Sequence, residues 1–108
     1  MAVAAQDPPK LIRGDAVALL PGLLADVPAD ETPCVYHSYT LEYFSEDARR
    51  GFHQVLDDFG SERDLYFVEM SGIEPNGSVR LTFWRDGERE MLRLAECPPH
   101  GQWLRWLV

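Results

Sequence analysis

Thr32-Pro33-Cys34-Val35-Tyr36-His37-Ser38-Tyr39-Thr40-Leu41-Glu42-Tyr43-Phe44 decides how this chain reads. Its first half, Cys34 to His37, has apolar character on both faces. Such a segment is expected to be a central strand with helices on each side. The second half turns polar and aromatic just before a helix start. In open α/β sheets ligands bind beyond the carboxyl ends of the strands, so a polar switch at that point places side chains where a ligand sits. His37, Ser38 and Glu42 occupy the switch.

Downstream, Ser45 is an N-cap residue, with Glu46 and Asp47 favourably placed against the helix dipole. Ala48, Phe52, Val55, Leu56 and Phe59 follow at helical spacing as one apolar stripe, and Gly60 supplies a C-terminal stop. Leu65 to Met70 is rich in aromatic and branched residues and reads as a second strand. Ser71 to Ser78 form a Gly/Pro/Asn loop. Val79 to Arg85 and Glu88 to Ala95 flank Asp86-Gly87, a strong hairpin signal. A two-residue turn there pairs Leu81 with Leu92, Val79 with Leu94, Trp84 with Arg89 and Thr82 with Met91. The ribbon then has one apolar face made of Val79, Leu81, Leu92 and Leu94. Arg80 falls opposite Arg93, a like-charge pair tolerable only if solvated. The tail from Pro98 to Val108 is expected to return as an apolar strand or short helix on the sheet.

Upstream, Met1 to Pro9 read as a disordered lead-in, leaving 10–108 as a single unit. Lys10 to Arg13 read as a short strand end closed by Gly14-Asp15. Leu19, Leu20, Leu23, Leu24 and Val27 recur at helical spacing, interrupted by Pro21. Two readings stand: a kinked helix from Ala16, or a turn followed by a helix with Pro21 in its first turn. The second costs less, because an interior proline lacks an N–H and crowds the preceding turn.

The bulk numbers bound the function. With 108 residues and 45% hydrophobic content the chain has the length and the apolar supply of one packed domain. A formal charge of −8 opposes sequence-independent nucleic-acid binding and attraction to anionic membranes. Cys34 and Cys97 are too far apart for a Cys-x-x-Cys motif; Cys34 is expected to be a small buried hydrophobe in its strand. His37, His53 and His100 are scattered without metal-ligand spacing, His53 on a solvated helix face. No signal-peptide pattern and no apolar run of about 20 residues occurs, so a cytoplasmic location is the expectation.

Three groups of residues carry a resemblance. Arg13-Gly14-Asp15-Ala16 with Leu20-Pro21, His37-Ser38 before Leu41-Glu42-Tyr43, and Pro99-His100-Gly101-Gln102-Trp103-Leu104-Arg105-Trp106-Leu107 together resemble the C-terminal part of a bacterial domain-of-unknown-function family, number 2332 of that series. The resemblance covers about residues 10 to 108. Members of that family are several times longer and in their front half are similar to class I S-adenosylmethionine-dependent methyltransferases. The order strand, helix, strand, loop, hairpin also resembles the second half of that fold. The expected architecture is therefore an α/β, Rossmann-like half-sheet ending in an antiparallel hairpin. The Glu-x-Gly-type turn that approaches the cofactor in the family's front half has no counterpart here, and no G-x-G-x-x-G occurs.

The resemblance implies a set of cofactor-binding residues: Asp15, His37, Ser38 and Glu69. Asp15 resembles the acidic residue that contacts adenine in methyltransferases, although an N-cap or turn role is the favoured reading of it. His37 stands where substrate-facing polar groups occur and is chemically able to accept a proton near neutrality; it equally suits a ring bonded to a loop carbonyl. Glu42 is placed to pair with His37 or to be solvated before the helix. Glu69 lies near the same sheet edge, and a buried carboxylate there would need a partner. Trp103 and Trp106 read as core anchors. Neither a catalytic residue nor a metal ligand is assigned. Two functions follow: an uncharacterised methyltransferase-like protein that binds S-adenosylmethionine only with a partner, or a non-catalytic interaction module. Both expect an open sheet edge beside Cys34–His37 and hence a homodimer or a separate partner subunit.

Overall fold

The structure, a computed structural model, describes residues 10–72, 77–98 and 103–108. The expected lead-in Met1 to Pro9, the middle of the Ser71–Ser78 loop and the motif Pro99-His100-Gly101-Gln102 lie outside the described residues. The element order is α1 (Ala16–Ala25), β1 (Cys34–Ser38), a 3-10 turn (Thr40–Tyr43), α2 (Glu46–Gly60), β2 (Leu65–Ser71), β3 (Ser78–Arg85), β4 (Glu88–Glu96) and β5 (Arg105–Trp106). The strands form one mixed sheet in the order β1-β2-β3-β4-β5. Only β1 and β2 are parallel; the other three pairings are antiparallel. Lys10 to Arg13 form no strand.

The capping signals act as read. Ser45 Oγ accepts the Ala48 N–H at 3.1 Å, and α2 then runs fifteen residues with Phe52 and Leu56 buried. Gly60, however, is not a left-handed stop. It is the last helical residue, followed by Ser61 in the right-handed region, and its missing side chain makes room for the Trp84 indole. Asp15 caps α1 by accepting the Val17 N–H at 3.0 Å, and the helix continues through Pro21 to Ala25. The kinked-helix reading therefore replaces the cheaper one. The cap and the packing of Val17, Leu20 and Leu24 into the core offset the one backbone bond that Pro21 cannot make.

Alternation along β2 divides the sheet. Leu65, Phe67, Glu69 and Ser71 are buried beneath α2, while Tyr66, Val68 and Met70 point the other way. Leu65 and Phe67 join Leu56, Phe52, Leu24, Leu41 and Trp84 in one core. Arg63 ties the α1–β1 loop to the end of α2 by donating to the carbonyls of Val27, Pro28 and Glu31 at 2.9, 2.7 and 3.0 Å.

Further sequence expectations change. Cys34–Ser38 is not a central strand: β1 pairs with β2 alone and is an edge among the described residues. Both helices pack on one face of the sheet, so Cys34, Tyr36 and Ser38 on the other face are exposed, Tyr36 at 78%. Cys34 is accordingly not the small buried hydrophobe expected. The hairpin turns at Asp86 and Gly87, both with positive φ as a type I′ turn requires. Its register holds from Arg85↔Glu88 to Arg80↔Arg93, and then a bulge shifts Val79 from Leu94 to Ala95. The apolar ribbon face with Leu81 and Leu92 is the uncovered one; Trp84 and Thr82 face the helices. Finally, Trp103 and Trp106 are both exposed, while Trp84 is the buried tryptophan. The tail's strand is two residues long and edges β4, which leaves its aromatics without a cover.

Gly60→Ala tests the core geometry. Glycine to alanine inside a helix ordinarily stabilises by about 1 kcal/mol, but here the new methyl collides with the Trp84 ring. The variant is expected to lose about 1–3 kcal/mol, read as a lower urea midpoint at unchanged slope.

Candidate functional site

The parallel register of β1 and β2 sets His37 directly beside Glu69, and the antiparallel register of β2 and β3 sets Glu69 opposite Arg80. All three side chains lie on the helix-covered face. His37 Nε2 stands 3.6 Å from Glu69 Oε2, and Arg80 Nη2 donates to Glu69 Oε1. The His37 and Glu69 side chains are each 10% exposed. A carboxylate this buried is stable only when paired, and Glu69 has a partner on each oxygen. Burial alone would raise its pKa. The His37 ring and the Arg80 guanidinium outweigh that and hold it below the ordinary value of 4.5.

The like-charge pair Arg80 and Arg93 is resolved by two carboxylates. Arg80 turns to Glu69, and Arg93 Nη2 lies 3.6 Å from Glu96 Oε1. Glu42 does not bond His37. Its Oε1 accepts the Gly72 N–H and the Ser71 hydroxyl (3.4 Å), locking the 3-10 turn to the end of β2. Tyr39 starts that turn in the left-handed region at φ 62, and its buried hydroxyl has no hydrogen-bond partner among the described residues. Burial raises the Tyr39 pKa, with Cys97 and Glu42 adding to it.

His37, Glu42, Glu69, Ser71, Arg49 and Arg80 line a small chamber of about 60 Å³. A groove of about 400 Å³ on the same sheet face shares His53, Glu69 and Arg80 with it and extends over Phe67, Thr82 and Met91. Asp57 closes the far side, accepting from Trp84 Nε1 at 3.1 Å and from Arg89 at 3.2 Å. His53 stands between the two spaces. Although solvent-exposed as expected, its ring approaches Phe67 edge-on, with centroids 6.1 Å apart. Burial lowers its pKa, against opposing pulls from Glu69 and Asp57. No group of three or more His, Cys, Asp or Glu able to hold a metal occurs among the described residues.

Of the four residues implied by resemblance, the structure brings His37 and Glu69 together. Ser38 alternates to the opposite face, where its hydroxyl lies 3.6 Å from Met70 Sδ, and Asp15 serves as the α1 cap. Sequence reading missed Arg80, Arg49 and His53. Arg49 and His53 are four apart on α2, a spacing that puts both on one helix face. Nothing local signals Arg80, whose place depends on strand order.

The bacterial family described as "Uncharacterized protein conserved in bacteria (DUF2332)" matches residues 1–106, and the chain belongs to it. No curated protein and no solved structure matches the chain.

The Glu69 cluster makes stability pH-dependent with a definite sign. Because its carboxyl is held below 4.5 in the fold, its contribution is complete above that pH and is lost as pH falls through the folded value. Urea unfolding between pH 6 and pH 3 should show a steep fall for the wild type and a shallower one for Glu69→Gln. At pH 7 that variant should be destabilised by about 3 kcal/mol, because Arg80 loses its partner.

Proposed function

We propose that this chain is a non-catalytic interaction module whose β1 edge is completed by another polypeptide, in the first instance a second copy of itself. The supporting observation is the state of β1. Its five residues carry no Asp, Glu, Lys, Arg or Pro, and its outer edge has no strand beside it among the described residues. Natural edge strands are usually protected by charge, proline or bulges. The same side of the molecule carries the uncovered sheet face, where Tyr36 and Leu92 are exposed and Val68, Met70 and Leu81 are only half-buried. A partner that adds a strand to β1 and lies over this face would shield both features together.

A second reading, methyltransferase-like binding of S-adenosylmethionine, draws support from His37 and Glu69. They lie toward the carboxyl ends of the parallel pair, where open α/β sheets hold ligands. In this reading the cofactor is bound only together with a partner that supplies the Gly-rich turn. The Rossmann-like character rests on the β1–α2–β2 unit and the family resemblance.

Sedimentation at micromolar concentration separates these readings from a self-sufficient monomer. The wild type is expected to self-associate, more strongly as salt screens the repulsion between two chains of charge −8. Tyr36→Lys should shift it toward monomer by about tenfold in Kd; a well-folded wild-type monomer throughout that range overturns the module. Isothermal titration with S-adenosylmethionine tests the second reading, and no heat at millimolar ligand rejects it for this chain alone.

A further inference from the structure

The chamber under α2 has an imbalance that the ion pairs around it do not remove. Glu69 uses one oxygen for Arg80 and turns the other toward His37, and Glu42 Oε1 is committed to Gly72 and Ser71. Of the side-chain atoms that line it, Arg49 Nε, Arg80 Nε and His37 Nδ1 are buried without a hydrogen-bond partner among the described residues, and His37 Nε2 has only its 3.6 Å approach to Glu69. The two Nε–H groups are obligate donors, because a guanidinium has no acceptor. Arg49, half-buried, also has no carboxylate within ion-pair distance among the described residues. A buried donor left unmade costs about 1–3 kcal/mol, so the wall is complementary to an acceptor that carries negative charge.

At about 60 Å³ the chamber has room for a few waters or for a group of carboxylate size. The adjoining groove offers Phe67, Trp84 and Met91, set among charged residues such as Asp57 and Arg89, as apolar contacts for whatever the carboxylate is attached to.

We propose that this chamber binds the carboxylate of a small monocarboxylic acid, with Arg49 and Arg80 as donors and the acid's apolar body in the groove. The site lies on the helix-covered face, which His37 reaches from β1 with its inward side chain, so a partner strand on β1 or a cover on the opposite face leaves its lining in place. His37 would donate to the same group through whichever ring nitrogen carries the proton. Glu42 and Glu69, already engaged by donors, oppose the ligand's charge and set its affinity in the millimolar range rather than the micromolar.

The test is a titration of the full chain with sodium acetate, followed by NMR of the Arg49 Nε–H and His37 ring signals at constant ionic strength. Acetamide, the neutral planar counterpart, is the control. Saturable shifts with acetate and none with acetamide are expected. Arg49→Gln should weaken acetate at least about tenfold, the worth of one charged hydrogen bond, while Arg49→Lys keeps part of the affinity. Hexanoate should bind more tightly than acetate, and Met91→Ser should reduce that advantage. Equal response to acetamide, non-saturable acetate shifts, or an Arg49→Gln variant that is folded and binds normally would each overturn the carboxylate site. Equal affinity for hexanoate and acetate would overturn the role of the groove.

Discussion

The alternation of β2 beneath α2 is the constraint from which the rest of the molecule follows. β2 is bonded on both sides, to β1 in parallel and to β3 antiparallel, so its register sets that of both neighbours. Leu65 and Phe67 anchor it under Leu56 and Phe52; slipping it by one residue would carry those side chains to the opposite face. The same alternation carries Glu69 inward. Core packing thus pulls a carboxylate below the surface, and the fold answers by placing His37 and Arg80 at its two cross-strand positions.

That answer is local and costly. Burying an ion pair recovers little net energy against well-packed hydrophobes, because desolvation offsets the attraction. The Glu69 cluster is therefore poor evidence for stability, and it lies beside orphaned nitrogens and two adjoining spaces that share its residues. A second asymmetry lies outside the core. Two helices cover one face of a five-stranded sheet and nothing described covers the other, which leaves an edge and an apolar face on the same side.

Much of the local structure was legible because its causes are local. Ser45 and Asp15 cap their helices, the Ala48–Phe59 stripe faces the core, and Asp86-Gly87 turns the hairpin, each through groups a few residues apart. The misreadings share a different origin. Cys34–Ser38 looked central because its residues are apolar on both faces, yet strand order, which no five-residue window contains, put it at the edge. Leu81 and Leu92 looked like the buried side of the ribbon, but α2 settled on the Trp84 side. Pro21 argued against one helix until the Leu24 side of α1 found a core to enter.

The candidate site divides in the same way. His37 and Glu69 stood out individually, by residue type and by position near strand ends. Their contact, and the arrival of Arg80, required the parallel β1–β2 register and the antiparallel β2–β3 register together. The sequence by itself determined the caps, the turn, the helix stripe and the family. Only the tertiary structure decided which face is covered, which strand is the edge and which charges meet, because those depend on pairings between segments ten to forty residues apart, whose energies no local pattern encodes.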